Sequence, residues 1–168
     1  MRKLAFLFLL FGASAIPVFC QEGPIQILSK HFKTSEEFTV KVANAMPESD
    51  YDFKLTPAQM SFREQMIHLS QGLDYILSGL SGEKPNPPKP ASKSKSDTEA
   101  FIRSSYERAL DRVSKLTPEQ LHKSYTTQEG TMTGIDMLLM ALDHSTHHRA
   151  SAEMYLRAKG ITPPQYEF

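Results

Sequence analysis

The sequence predicts an all-α protein, a four-helix bundle with one long connection. Three observations carry the prediction. Four segments repeat apolar residues at steps of three and four, the period of a helix face. Capping boxes open the second and third of these segments, and glycine or proline closes all four. No alternating strand pattern runs over a useful length, although the 122–130 stretch leaves room for short strands.

Composition fits a folded domain. The chain has 168 residues, with 40% hydrophobic and 23% charged, which excludes a disordered chain. Lys+Arg and Asp+Glu stand at 19 each, so there is no basic footprint for nucleic acid and no basic face for a membrane surface.

Residues 1–20 read as a signal peptide. Arg2 and Lys3 form a basic start, Leu4 to Phe11 an apolar run, and Gly12 to Ala15 a small-residue segment. The apolar run is short for a span of ~20 residues, so no stable membrane span is expected after cleavage. Cleavage fits after Ala15 or after Cys20. A lipid anchor on Cys20 is disfavoured by the bulky Phe19 before it. Cys20 is the single cysteine. Cleavage after it leaves residues 21–168 as a cysteine-free exported domain, periplasmic or secreted, with no disulfide or thiolate chemistry.

The first helix is expected from Pro24 to Met46, on a stripe of Leu28, His31, Ser35, Phe38, Val42 and Ala45, and Pro47 ends it. A loop follows, with a Thr-Pro start at Thr56-Pro57. Ser61 and Glu64 form a capping box for the second helix, whose stripe is Phe62, Met66, Leu69, Leu73, Ile76, Leu77 and Leu80. Gly79 and Gly82 stop it. The linker, about 82–96, holds four prolines and four lysines and no periodic apolar residue, so a flexible connection is expected. Ser96 to Glu99 is a second capping box, opening a third helix on Ile102, Tyr106, Ala109, Val113 and Leu116. Thr117-Pro118 ends that helix and starts one short turn. The last helix runs from Ile135 to Lys159, ended by Gly160 and Pro163-Pro164.

Half of the six histidines stand in "DHSTHHR" on the last helix. His144 and His148 are four apart, so they share one face, a spacing that lets two imidazoles hold one metal. Met137, Ala141, Ala152 and Tyr155 continue that face, which should point inward. The alternative is a pair of histidines hydrogen-bonded to carboxylates or water. His147 points to the polar side. A tight site needs a third ligand, and His68 on the second helix is the best candidate. It lies off the main stripe, on a flank with Gln65, Gly72 and Tyr75, where Gly72 allows close helix approach. His31 reads as a core-edge histidine, and His122 as a loop residue.

Two motifs carry a family resemblance. "HSTHHRASAEMYLRAKGITPPQYEF" and "AMPESDYDFKLTPAQMSFREQMIHLSQ" together resemble the DinB-like proteins, bundles with a metalloenzyme character. The resemblance covers essentially the whole mature chain. It implies an antiparallel four-helix bundle and a metal held by His68, His144 and His148. One departure stands out: Ala150-Ser151 replaces the family's Gly-Gln after His-Arg. Arg149 matches the family's arginine and is read as structural. The resemblance also allows a homodimer, with the "PPQYEF" tail docked on its own bundle or on a partner.

Such a site would be a divalent metal centre. Zinc or nickel suits three imidazoles best, with iron or manganese less favoured. It would keep an open position and activate water, a substrate oxygen or a thiolate. Glu64 and Asp143 are candidate partners of the ligands, and Tyr75 and Tyr155 are candidates to orient a small-molecule substrate. The resemblance implies a metal-dependent transferase or hydrolase, in some relatives one that uses a low-molecular-weight thiol; the other reading is a non-catalytic exported binding bundle. Export disfavours the thiol-dependent form of the first, because such thiols are cytosolic. The sequence names no substrate.

Overall fold

The computed structural model describes residues 23–127 and 130–166. The signal-peptide reading of residues 1–20, with Cys20, lies outside the described residues. Five helices and one hairpin make up the rest: α1 (Pro24–Ala45), α2 (Phe62–Ser81), α3 (Lys95–Ser114), the short α4 (Pro118–His122), strands β1 (Ser124–Thr127) and β2 (Gly130–Thr133), and α5 (Gly134–Ala158). A 3₁₀ turn at Glu48–Asp50 follows α1. No helix among the described residues is long and apolar enough to cross a membrane.

Side-chain caps fix the starts of α2, α3, α4 and α5, whereas α1 opens on Pro24 without one. Ser61 and Glu64 form the predicted box, as do Thr117 with Gln120 and Thr133 with Asp136. Each such cap satisfies orphan amides and contributes about 1 kcal/mol. The box expected at Ser96 is replaced by Ser94, whose hydroxyl accepts from the Asp97 amide, so α3 starts at Lys95 inside the expected linker. The Thr56-Pro57 start yields only turns, and α2 begins at Phe62.

α1 adjoins α3 and α5, and α2 adjoins the same two. The antiparallel expectation holds for two of these four seams. Lys95 at the start of α3 donates to the carbonyls of Asn44 and Met46 at the end of α1, both at 2.8 Å. Tyr155, late in α5, donates to the carbonyl of Met60, just before α2. The other two seams are parallel. Asp74 pairs with Arg108, and Glu83 with Arg112, so α2 and α3 rise together. Lys159 reaches Asp50 at 3.0 Å, so α1 and α5 descend together. The reason is the linker. Residues 82–94 carry the chain back along α2, and 13 extended residues easily retrace a 20-residue helix of about 30 Å.

The core is one cluster. All seven predicted stripe residues of α2 are buried, as are Ile102, Tyr106, Ala109 and Val113 of α3. Burial of each large side chain contributes about 2 kcal/mol. On α1 the stripe is Leu28, Phe32, Ser35, Thr39 and Val42. His31 is exposed, about 100° from Phe32, and is not a core-edge residue. Tyr166 packs edge-on against Phe38 at 5.7 Å, so the tail docks on its own bundle. β1 and β2 pair antiparallel, Ser124 with Thr133 through Thr127 with Gly130, where short strands had been left open.

Candidate metal centre

The α2–α5 seam brings three imidazoles together. One ring nitrogen from each of His68, His144 and His148 lies within 4.8 Å of the others. The ring centroids are 4.5 to 5.1 Å apart. His68 Nε2 and His144 Nε2 stand 3.4 Å from each other. All three rings are half-buried. The α5 pair shares a face because its members are four apart on a helix whose flanking Ala141 and Ala152 are fully buried.

Two small features of α2 set this geometry. Gly72 lies under the His144 ring. A Cβ built there would stand 2.1 Å from Cε1 and 2.4 Å from Nδ1 of His144. Only the missing side chain admits the ring. Gln65 is buried and its Oε1 lies 2.6 Å from His148 Nδ1. The Nδ1–H therefore donates to the amide oxygen, and Nε2 keeps its lone pair toward the other rings. Spacing puts Gln65 and Gly72 on the same flank of α2 as His68, but it does not reveal the bond from His148 to Gln65.

Electrostatics favour neutral rings. Burial, reinforced by His144, His68 and His147, pushes the His148 imidazole down to about 4. His144 is lowered from its ordinary value mainly by burial, then by His68 and His147. His144 Nδ1 is buried with no hydrogen-bond partner among the described residues. Three imidazoles whose ring nitrogens converge are a donor set that fits a divalent cation.

A pH dependence follows for the metal-free chain. His148 is lowered from 6.5 to about 4, so between these values the unfolded chain binds the extra proton. Stability is expected to fall as pH drops from 6.5 toward 4. Thermal melts of the metal-free chain across this window check it, and His148→Gln should flatten the decline.

The other candidates fall differently. Glu64 is exposed, spent on the Ser61 cap and on Lys54 at 3.3 Å, and is not a partner of His68. Asp143 is exposed beside His144 and His147, with no hydrogen bond to a ligand ring seen. Tyr155 is buried against Phe53 and Phe62, with its hydroxyl on the Met60 carbonyl, so it is a packing residue and does not face the site. Tyr75 stays beside the site and is exposed. His147 is exposed on the polar side of α5, as expected; His122 is exposed too, but it closes the short helix α4 and is not a loop residue. Ser151 bonds the His147 carbonyl at 3.0 Å, so its hydroxyl is used on its own helix. Arg149 is structural in its contacts: buried, stacked over Phe38 at 4.7 Å, and donating to Ser35 at 2.9 Å and to Thr39 at 3.3 Å.

Three hollows border the triad. One, of about 390 Å³, touches both His68 and His144 and is walled by α2, α5 and the linker. The linker is pinned there by Gln71 Nε2, which donates to the Pro88 carbonyl at 3.1 Å. A cleft of about 670 Å³ lies elsewhere, between α2, α3 and α4. Its Arg108 and Arg112 are both paired with buried Asp74, and it does not reach the histidines.

Comparison with known proteins agrees with this architecture. Residues 31–152 match the model of the DinB superfamily. The chain is 24% identical over 147 residues to the uncharacterized protein YjoA of Bacillus subtilis, covering 85% of this chain and 94% of that one. The crystal structure of YjoA, a DinB-like protein, superposes with a TM-score of 0.72 at 20% identity, over 83% of this chain and 96% of that one. A DinB-like protein from Bacillus cereus gives 0.74 at 18% identity, over 85% and 97%. YfiT from Bacillus subtilis, described as "a probable metal-dependent hydrolase with an unusual four-helix bundle topology", gives 0.60 at 19%, over 82% and 90%.

Proposed function

The chain belongs to the DinB superfamily, and from that premise we propose that it is a metal-dependent enzyme of hydrolase or transferase type acting on a small molecule. The observation that carries the proposal is the convergence of His68, His144 and His148 on one point of the α2–α5 seam. These three residues hold the cation, zinc or nickel by the all-nitrogen donor set. A divalent cation there supplies Lewis acidity to an oxygen or sulfur atom of the substrate.

The rest of the work belongs to the chain. Gln65 fixes the tautomer and tilt of His148. Gly72 gives His144 its place. Tyr75, exposed at the rim, orients the substrate. The hollows beside the rings support an enzymatic reading over a closed structural site, because a catalytic metal keeps one position open. The description of YfiT as "a probable metal-dependent hydrolase" supports the same direction. Export under a cleaved leader belongs to the proposal and rests on residues 1–20 alone.

The test is metal analysis of the purified chain after chelation and reloading. About one divalent ion per chain is expected. A chain that takes up none overturns the reading.

Gln65 supplies a finer prediction. Gln65→Leu keeps the size of the side chain and removes the acceptor on His148 Nδ1. Metal affinity should fall about 10–100-fold with the fold intact. Competition titration against a chelator of known affinity measures it. Unchanged affinity would show that the 2.6 Å contact does not orient the ring.

A further inference from the structure

We infer that the substrate bound beside the metal is a small molecule with an uncharged, largely apolar body that reaches the site through the hollow under the linker. The inference rests on the metal reading above and adds the class of ligand.

Three hollows offer a way in, and their linings differ. One includes Asp136 and Asp143 and touches His144 alone of the triad. Another includes Lys54 and Glu64 and touches His68 alone. The hollow under the linker reaches both His68 and His144. A ligand there meets two of the three rings at once, which neither of the others permits.

Its remaining walls carry no charge. Tyr75 and Ile76 come from α2, Met140 from α5 and Pro87 from the linker. Gln71, also in the lining, spends its amide nitrogen on the Pro88 carbonyl. Against these walls, away from the histidines, a carboxylate, phosphate or ammonium would lose water and meet no opposite charge. An apolar ring or chain would lose only unfavourable hydration. The volume of about 390 Å³ suits a molecule of drug-fragment size. Its one polar atom, an oxygen, nitrogen or sulfur, points at the histidines.

The test uses two azoles with the same donor nitrogen. 4-Phenylimidazole ends in a neutral, apolar ring; 4-(imidazol-4-yl)benzoate carries a carboxylate at the far end of that ring. Both are titrated into the cobalt(II)-loaded chain and read by the visible cobalt spectrum. The uncharged compound is expected to bind about tenfold tighter or more. Tyr75→Asp and Pro87→Asp, both at the rim, should erase that preference. Equal affinity for the two azoles, or a preference that survives both substitutions, overturns the inference.

A second arm separates this from the metal itself. The metal-free chain is labelled with ¹³C at the methionine methyls, and the Met140 signal is assigned by Met140→Leu. 4-Phenylimidazole should shift that signal, and 4-(imidazol-4-yl)benzoate should not. No shift at Met140 overturns the pocket whatever the cobalt result. Failure to load cobalt overturns the metal reading and leaves the Met140 result to judge the pocket.

Discussion

Replacing both His144 and His148 by alanine is expected to bring bound metal from about one ion per chain to background. The two residues supply two of the three ring nitrogens that lie within 4.8 Å. Loss of an outer partner costs about 10–100-fold in affinity, and loss of two ligands should exceed that range. A lone imidazole on His68 cannot hold a divalent ion against water. The fold should survive, because both rings are half-buried and the core cluster lies around them. Metal content with circular dichroism on the same samples checks both halves. His147→Ala is the control, since its exposed ring is expected to contribute nothing. Metal retained by the double variant would move the site elsewhere.

Gly72→Ala should be as damaging to metal binding as the loss of His144, with the opposite effect on the helix. Alanine is favoured over glycine within a helix by up to about 1 kcal/mol. The α2 backbone therefore has no reason to suffer. The new methyl would sit 2.1 Å from His144 Cε1 and 3.0 Å from Nε2, far inside contact distance. The ring must swing out of the triad. The expected result is a melting temperature equal to or above that of the parent, with metal affinity at the level of His144→Ala. A variant that binds metal normally would show that His144 is not seated against Gly72. Loss of the fold together with the metal would mean that the seam, and not the ring, had been displaced.

The legible part of the fold was its periodicity. Seven stripe residues on α2 and the α5 face from Met137 to Tyr155 stand where a 3.6-residue repeat puts them. Direction was not legible, because an apolar stripe reads the same on parallel and antiparallel helices. The one clue was the length of the proline-rich linker, which exceeds what a tight turn needs. Stripe averaging also concealed part of the site. His68, Gln65, Gly72 and Tyr75 form a second, polar flank of α2, facing α5 while the main stripe faces the core. Such a flank looks like surface in a sequence. The α1 stripe failed at His31 for a smaller reason. Ser35 belongs to it equally with His31 or with Phe32 four and three residues before, and only packing decides. Glu64 and Tyr155 were sound by spacing, but each had a nearer partner, the Ser61 amide and the Met60 carbonyl. The hairpin gave little signal because none of its eight strand residues is buried and they carry no apolar alternation.

The separation of His68 from His144 has a kinetic consequence. The two rings meet across 76 positions of chain, and α3, α4 and the hairpin all lie between. Contacts of such long range form late in folding, because loop closure must precede them. During synthesis, α2 leaves the ribosome long before α5 exists to meet it. The α2–α5 seam is therefore a check on completion: a chain truncated before α5 has one histidine of the three. In refolding experiments, uptake of metal should lag behind the gain of helix and coincide with docking of the last helix.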